Sequence, residues 1–352
     1  MRSRSIAHGS HMIPRIGFAC KISRTNANGQ VESIPELNSR STTVAWLNRQ
    51  PKAVAEHKLR EIVDHNLASL RRAVDWVGDQ PQALRCYRIS SDILPLYTHP
   101  DFRDFWQQAD IQQQLIREFG EIGVQGRDRD VRLSFHPGQF CCLASDDDDI
   151  VSRSIEELEY HASMARMMGY GAKWHDHGFK INIHISGRRG VKGMRRSIER
   201  LTPEARNLLT IENDENSWGV DSCLELADVA AIVLDVHHNW CREGEYIQPD
   251  DDRVERIVAS WRGVRPILHY SLSREDVLVN HDPVTLPCKN ALLESGHKKA
   301  HLRAHSDMMW NQAANKWVAE FLGQFDIMVE CKSKNLGAKQ LHDFFEHGRQ
   351  QA

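Results

Sequence analysis

The sequence predicts one α/β domain in which eight parallel strands close into a (β/α)8, or TIM, barrel with a polar site at its C-terminal mouth. Three observations carry this. Eight short β-rich segments recur along the chain, separated mostly by amphipathic helical stretches. The segments are almost continuously apolar, as strands covered on both faces must be. The first of them runs into GFACKIS, which lacks the glycine fingerprint that a doubly wound open sheet places after its first strand.

The first twelve residues, MRSRSIAHGSHM, end in GSHM, the pattern of an expression-tag scar, so the domain is expected over residues 13–352. The strand candidates are RIGFAC (15–20), LRCYRIS (84–90), VRLSFHP (131–137), KINIHIS (180–186), LLTIEND (208–214), AAIVLDVHH (230–238), RPILHYS (265–271) and DIMVECK (326–332). Helices are expected over 56–74 and 154–169, and a helical tail follows the last strand. Two connections, 21–55 and 272–310, exceed the usual loop length. As β→α loops both would lie on the C-terminal face, where barrels of this type carry their sites.

The eight cysteines form no CxxC pair, and Cys20, Cys86 and Cys331 fall in strand-like runs as buried thiols. Cys141 and Cys142 are adjacent and poorly placed to bridge. No apolar run spans a bilayer, so an intracellular protein is expected. A formal net charge of −3 excludes a generic polycation coating DNA but leaves room for a local basic groove. The 19 histidines are the richest signal.

Their positions follow the strands. The second strand is followed by Asp92 and His99. The third ends on His136 and the fourth on His184. The fifth carries Glu212, then Asp214 and Glu215, and the sixth Asp235, His237 and His238. The seventh gives His269 and the eighth Glu330. A barrel mouth gathers these ends, where uncompensated charges would repel and be costly to bury. Divalent cations resolve both problems, and mixed imidazole–carboxylate ligation suits zinc, manganese or iron. There are too many donors for one ion, so two or three are expected.

Other clusters read differently. SDDDD (145–149) precedes a helix and is expected to cap it. HDH (175–177) precedes the fourth strand, on the opposite rim, and is expected as an exposed loop. His161, His281, His297 and His301 are expected at the surface, and spacing alone assigns His305 no role. SGRRGVKGMRR (186–196) sets Arg188, Arg189 and Lys192 among glycines just after the fourth strand, placed to neutralise phosphates on the metal-bearing rim.

In order along the chain, YRISSDILP, SFHPGQF, INIHISG, TIENDE, LDVHHN, ILHYS and MVECKSK resemble the UV damage endonuclease family. The resemblance implies a TIM barrel similar in fold to endonuclease IV. It further implies a divalent metal cluster, usually manganese with zinc or magnesium as alternatives, and double-stranded DNA containing UV lesions as substrate. The family nicks immediately 5′ to cyclobutane dimers and (6-4) photoproducts without ATP, membrane or obligatory protein partner. Its metal ligands would here be His99, His136, His184, Glu212, Asp235, His238, His269, His305 and Glu330, with His237 a structural neighbour.

Glu212, Asp235, Glu330 and Lys332 would serve catalysis, Lys332 at a phosphate. Gln139 and Phe140 would fill the gap left by the extruded lesion, and Phe18 would lie near the lesion pocket. Two positions depart from the family pattern: Ile267 replaces a lysine two residues before the seventh-strand histidine, and Ile22 replaces a polar residue in the first loop. An endonuclease IV-like enzyme acting at abasic sites, and more remotely a metal-dependent sugar isomerase or epimerase, are the alternatives. A cytoplasmic, nucleoid-associated location in a prokaryote, or a nuclear one in a eukaryote, follows from such a role.

Overall fold

Alternation along each strand separates two apolar surfaces, one facing the helices and one filling the ring. In the computed structural model, which describes residues 13–350 apart from Gln139, the ring comprises β1 (Ile16–Ala19), β2 (Cys86–Arg88), β3 (Arg132–Phe135), β4 (Lys180–His184), β5 (Leu209–Glu212), β6 (Ala231–Asp235), β7 (Ile267–Tyr270) and β8 (Asp326–Val329). All pairings are parallel, each strand with its sequence neighbour, and β1 closes the barrel by pairing with both β8 and β2. The eight predicted strands are therefore the eight of the barrel.

Ile181, Ile183, Ile211, Leu234 and Leu268 join the large outer core under the helices. Cys86, Ala231, Val233, Ile267 and Met328 form a separate inner cluster with Trp261. Gly17 makes this possible on β1, because a Cβ there would stand 2.7 Å from Cys86 Sγ. The remaining inward positions of β3–β7 are polar, so the apolar filling gives way to chemistry toward the mouth.

Three long helices flank this part of the sheet: α1 (Lys52–Gly78), α2 (Ala109–Asp128) and α3 (Asp148–Met167). Asp147 caps α3, its side chain accepting from the amides of Asp149 and Ile150, so the acidic run does the capping expected of it. The long first connection holds a small antiparallel hairpin, Ser23–Thr25 with Val31–Ser33. Asn38 folds that connection back, bonding both the amide and the carbonyl of Ile22 at 2.8 Å. The seventh connection carries two short helices, Lys289–Glu294 and Lys299–Leu302, and is pinned at its ends by a β-bridge between Ser273 and His305.

Several expectations are corrected. His161 is buried, not superficial: its Nδ1 donates to the Glu157 carbonyl one turn earlier and its ring packs on Phe135. In the HDH segment His177 is exposed but His175 is buried against Trp261, with Nδ1 bonded to the Phe179 carbonyl. Phe18 lies in the outer core against Trp76 and Tyr87, with only 3% of its surface exposed. Cys20 is only half-buried, because the chain leaves β1 there in a left-handed turn (φ 68°). Ile22 is fully buried. Residues 1–12 lie outside the described residues. Among the described residues all eight cysteines are free, and no helix is long and apolar enough to cross a membrane.

Candidate functional site

Inward positions two residues apart carry the polar groups to the mouth. On β4, Lys180, Asn182 and His184 alternate with isoleucines. The register sets His184 beside Glu212 and Asp235 beside His269. Glu212 is the hub. Its carboxylate lies 3.1 Å from His269 Nδ1, 3.3 Å from His238 Nδ1, 3.4 Å from His136 Nε2 and 4.0 Å from His184 Nε2. Asn182 donates to its Oε2 and is itself held by Thr210. Glu330, just beyond β8, stands 3.2 Å from His269 Nδ1 and pairs with Arg88 at the end of β2.

Asp235 divides its work. Oδ1 accepts from the His238 amide and caps the helix Val236–Glu243, while Oδ2 is left for the cluster. That cap presents His237 and His238 on the first turn. His237 turns away, stacking on Trp240 with Nε2 beside Cys241 Sγ, as a structural neighbour should.

Burial and charge oppose one another here. Burial would push the Glu212 carboxyl up, but His269 and His184 hold it well below the usual carboxylate range. Glu330 is likewise held low against burial, chiefly by Arg88 and then His269. For Asp235 burial wins, pushing it well above that range although His238 opposes. Burial lowers His136 to about 4 and Lys180 to about 7.

The donor set fits divalent cations. Glu212 Oε1 and Asp235 Oδ2 are buried without a hydrogen-bond partner, and such orphaned carboxylate oxygens at the centre of a packed barrel need a counter-charge. Four overlapping triads have donor atoms within 4.8 Å of one another: His136–His184–Glu212, Glu212–Asp235–His238, Asp235–His269–Glu330 and His184–Glu215–His238.

Seven of the nine ligands implied by the resemblance thus converge. His305 reaches the rim of the cluster through the Ser273 bridge, with its Nδ1 on the Glu330 carbonyl at 2.7 Å and its ring 6.4 Å from that of His238. His99 belongs to none of the triads. Its Nδ1 instead accepts from the Asp101 amide at 3.3 Å, capping the turn Pro100–Phe102.

Around the mouth, Phe140 is 86 % exposed on the loop after β3, whereas Gln139 lies outside the described residues. Arg188, Arg189 and Lys192 are exposed at the start of the helix Gly190–Ile198, as expected for that rim. Arg189 is tied to Asp148 at 2.6 Å, and Arg188 reaches Asp146 at 3.3 Å. Lys332 is half-exposed and 3.2 Å from Asp307.

Residue-by-residue reading missed Arg88, Lys180, Asn182 and Asn213. The signal for Lys180 and Asn182 was present: they share the inward face with His184. Lys180 Nζ lies 3.1 Å from His269 Nε2. A lysine therefore does stand at this histidine, supplied by β4, while Ile267 belongs to the apolar filling.

Fold and site together define a TIM-barrel protein whose mouth is lined by a histidine–carboxylate cluster suited to divalent cations. The profile of the family described as UV-endonuclease UvdE matches residues 14–347; the chain belongs to that family, and with it to the DNA repair endonucleases for UV damage. The UV DNA damage endonuclease of Bacillus velezensis is 28% identical over 247 residues, covering 68% of this chain and 73% of that protein. That of Bacillus cereus strain G9842 is 25% identical over 343 residues, covering 94% of each. The crystal structure of SacUVDE shares the fold with a TM-score of 0.69 at 23% identity, over 95% of this chain and 99% of that one.

Proposed function

We propose that the protein nicks DNA immediately 5′ to UV photoproducts, cyclobutane dimers and (6-4) photoproducts, by phosphodiester hydrolysis that depends on two or three divalent cations, manganese first among them. The observation that carries this is the orphaned pair of carboxylate oxygens, Glu212 Oε1 and Asp235 Oδ2, within the converging strand ends. Cations held by His136, His184, Glu212, Asp235, His238, His269 and Glu330 would supply Lewis-acid charge for in-line displacement at a phosphate.

The chain does the rest. Arg88 keeps Glu330 ionised, and Asn182 fixes the rotamer of Glu212. Phe140 on its exposed loop fills the space left by the extruded dinucleotide, and its ring replaces lost stacking. From the sequence, Gln139 would meet the exposed base edges beside it. Arg188, Arg189, Lys192 and Lys332 bind backbone phosphates. A lesion already weakens stacking, so extruding it costs less than extruding normal bases, and selectivity follows from deformability.

The test is strand incision by metal-stripped protein on a labelled duplex with one cyclobutane dimer, with Mn²⁺ added back and undamaged and abasic duplexes alongside. A cut directly 5′ to the dimer, leaving 3′-hydroxyl and 5′-phosphate ends, is expected. Cleavage at the abasic site alone would transfer the protein to endonuclease IV-like chemistry, and silence on all three duplexes with Mn²⁺, Zn²⁺ and Mg²⁺ would refute the reading.

A further inference from the structure

Glu215 is not among the nine ligands implied by the family resemblance, yet its carboxylate faces the cluster. We propose that it closes an outer cation position together with His184 and His238, one that draws His184 Nε2 away from the overlapping triad with His136 and Glu212, an inference that rests on the cation-dependent reading above.

The two ring nitrogens of His238 have different partners. Nδ1 lies 3.0 Å from the Asn213 carbonyl. A carbonyl oxygen only accepts, so Nδ1 carries a proton and cannot also offer a lone pair to a cation. This removes His238 from the inner triad with Glu212 and Asp235, which its Nδ1 faces at 3.3 and 3.6 Å. Its free donor is Nε2, and Nε2 stands 3.7 Å from Glu215 Oε2.

Glu215 is delivered to that position by a fixed loop. Asp214 Oδ1 accepts from the amides of Asn216 and Ser217 at 2.7 and 2.6 Å, and the Asp214 amide bonds the Trp218 carbonyl at 2.9 Å. Asn216 occupies Glu215 Oε1 at 3.0 Å, which leaves Oε2 turned to His238. His184 completes the triad. Its ring lies 5.2 Å from that of His238, and Asp214 Oδ2 approaches its Nδ1 at 3.6 Å to orient it. The donor atoms of His184, Glu215 and His238 all fall within 4.8 Å of one another.

Exposure separates this position from the inner ones. Glu212 and Asp235 have fully buried side chains, whereas His184 and Glu215 are 24% and 22% exposed. The outer position opens to the mouth, where substrate phosphates arrive. It is therefore the site that exchanges first with solvent and loses its cation first to a chelator.

The competing account is an imidazolium–carboxylate pair between His238 and Glu215 with no metal role. The two differ in metal stoichiometry. Metal-stripped wild type, Glu215→Gln and Glu212→Gln are titrated with Mn²⁺, free ion being followed by electron paramagnetic resonance and bound ion by elemental analysis after gel filtration. Glu215→Gln keeps the shape of the side chain, and thermal melts monitor its fold. It should lose the weakest class of site, about one equivalent per chain, or bind it about tenfold or more weaker. The tighter sites should be unchanged, while Glu212→Gln disturbs them. Unchanged number and affinity in a folded Glu215→Gln protein would overturn the outer position and leave the proposed function standing. Failure of the wild type itself to bind Mn²⁺ or Zn²⁺ would overturn both.

Discussion

Truncating Phe140 to alanine separates stability from recognition more cleanly than any other change in this protein. With 86% of its surface exposed, the ring contributes almost nothing to packing, and substitutions at such sites usually stay within about 0.5 kcal/mol of the parent. A melting temperature within a degree or two of wild type is expected. Lesion binding should behave otherwise. If the ring stacks in the gap of an opened duplex, its loss costs about 1–3 kcal/mol, which is roughly 5- to 150-fold in Kd. Affinity for undamaged duplex, where no gap exists, should change by less than about twofold.

The assay is fluorescence anisotropy with two labelled duplexes that differ only by one cyclobutane dimer, with metal-stripped protein so that no strand is cut. Selectivity for the damaged duplex should collapse while intact-duplex binding persists. Equal weakening on both duplexes, or on neither, would refute the gap-filling role and return Phe140 to a plain exposed side chain.

Four further outcomes are expected. Glu212→Gln removes the hub charge that four histidines share, so incision should fall more than about 100-fold, with bound metal reduced in elemental analysis; full activity would dismiss the cluster as the active centre. Arg188→Ala with Lys192→Ala should lower the slope of log K against log salt by about 2 if each side chain meets one phosphate, and an unchanged slope would take this loop out of the interface.

His161, which burial pushes down to about 4, binds its proton in the unfolded chain near pH 6.5. Its neutral state therefore stabilises the fold fully above that value, and the contribution is lost as pH falls toward 4. Urea denaturation should show wild type losing about 2–3 kcal/mol more than His161→Leu between pH 7.5 and 4.5; parallel losses would mean that the ring can be solvated in the native state. Gly17→Ala drives a methyl group to 2.7 Å from Cys86 Sγ inside the ring, so a cost of about 1–3 kcal/mol in the same urea assay is expected, and a neutral result would show slack in the inner layer.

The number of strands, their closure and the kinds of residue at the mouth were legible in the linear sequence, because they depend on local periodicity. A two-residue repeat decides which side chains face inward, and a parallel barrel sends every strand's C-terminal end to one rim. His136, His184, Glu212, Asp235, His269 and Glu330 were therefore assignable from their positions in the eight strand candidates. Capping of α3 by Asp147 was legible for the same reason, being a contact within a few residues.

Tertiary structure alone decided the rest. Lys180 meets His269 only because closure sets β4 across the ring from β7, two strands that share no hydrogen bonds. His305 reaches the cluster through a bridge that spans the seventh connection, whereas His99 spends its Nδ1 on a nearby amide. His161 and His175 looked like surface residues because polarity suggests exposure, but each satisfies Nδ1 on a backbone carbonyl and so tolerates burial. The same bond on His238, to the carbonyl of Asn213, selects which ring nitrogen is free for a cation. Sequence names a ligand; the choice of donor atom belongs to the neighbours that folding brings to it.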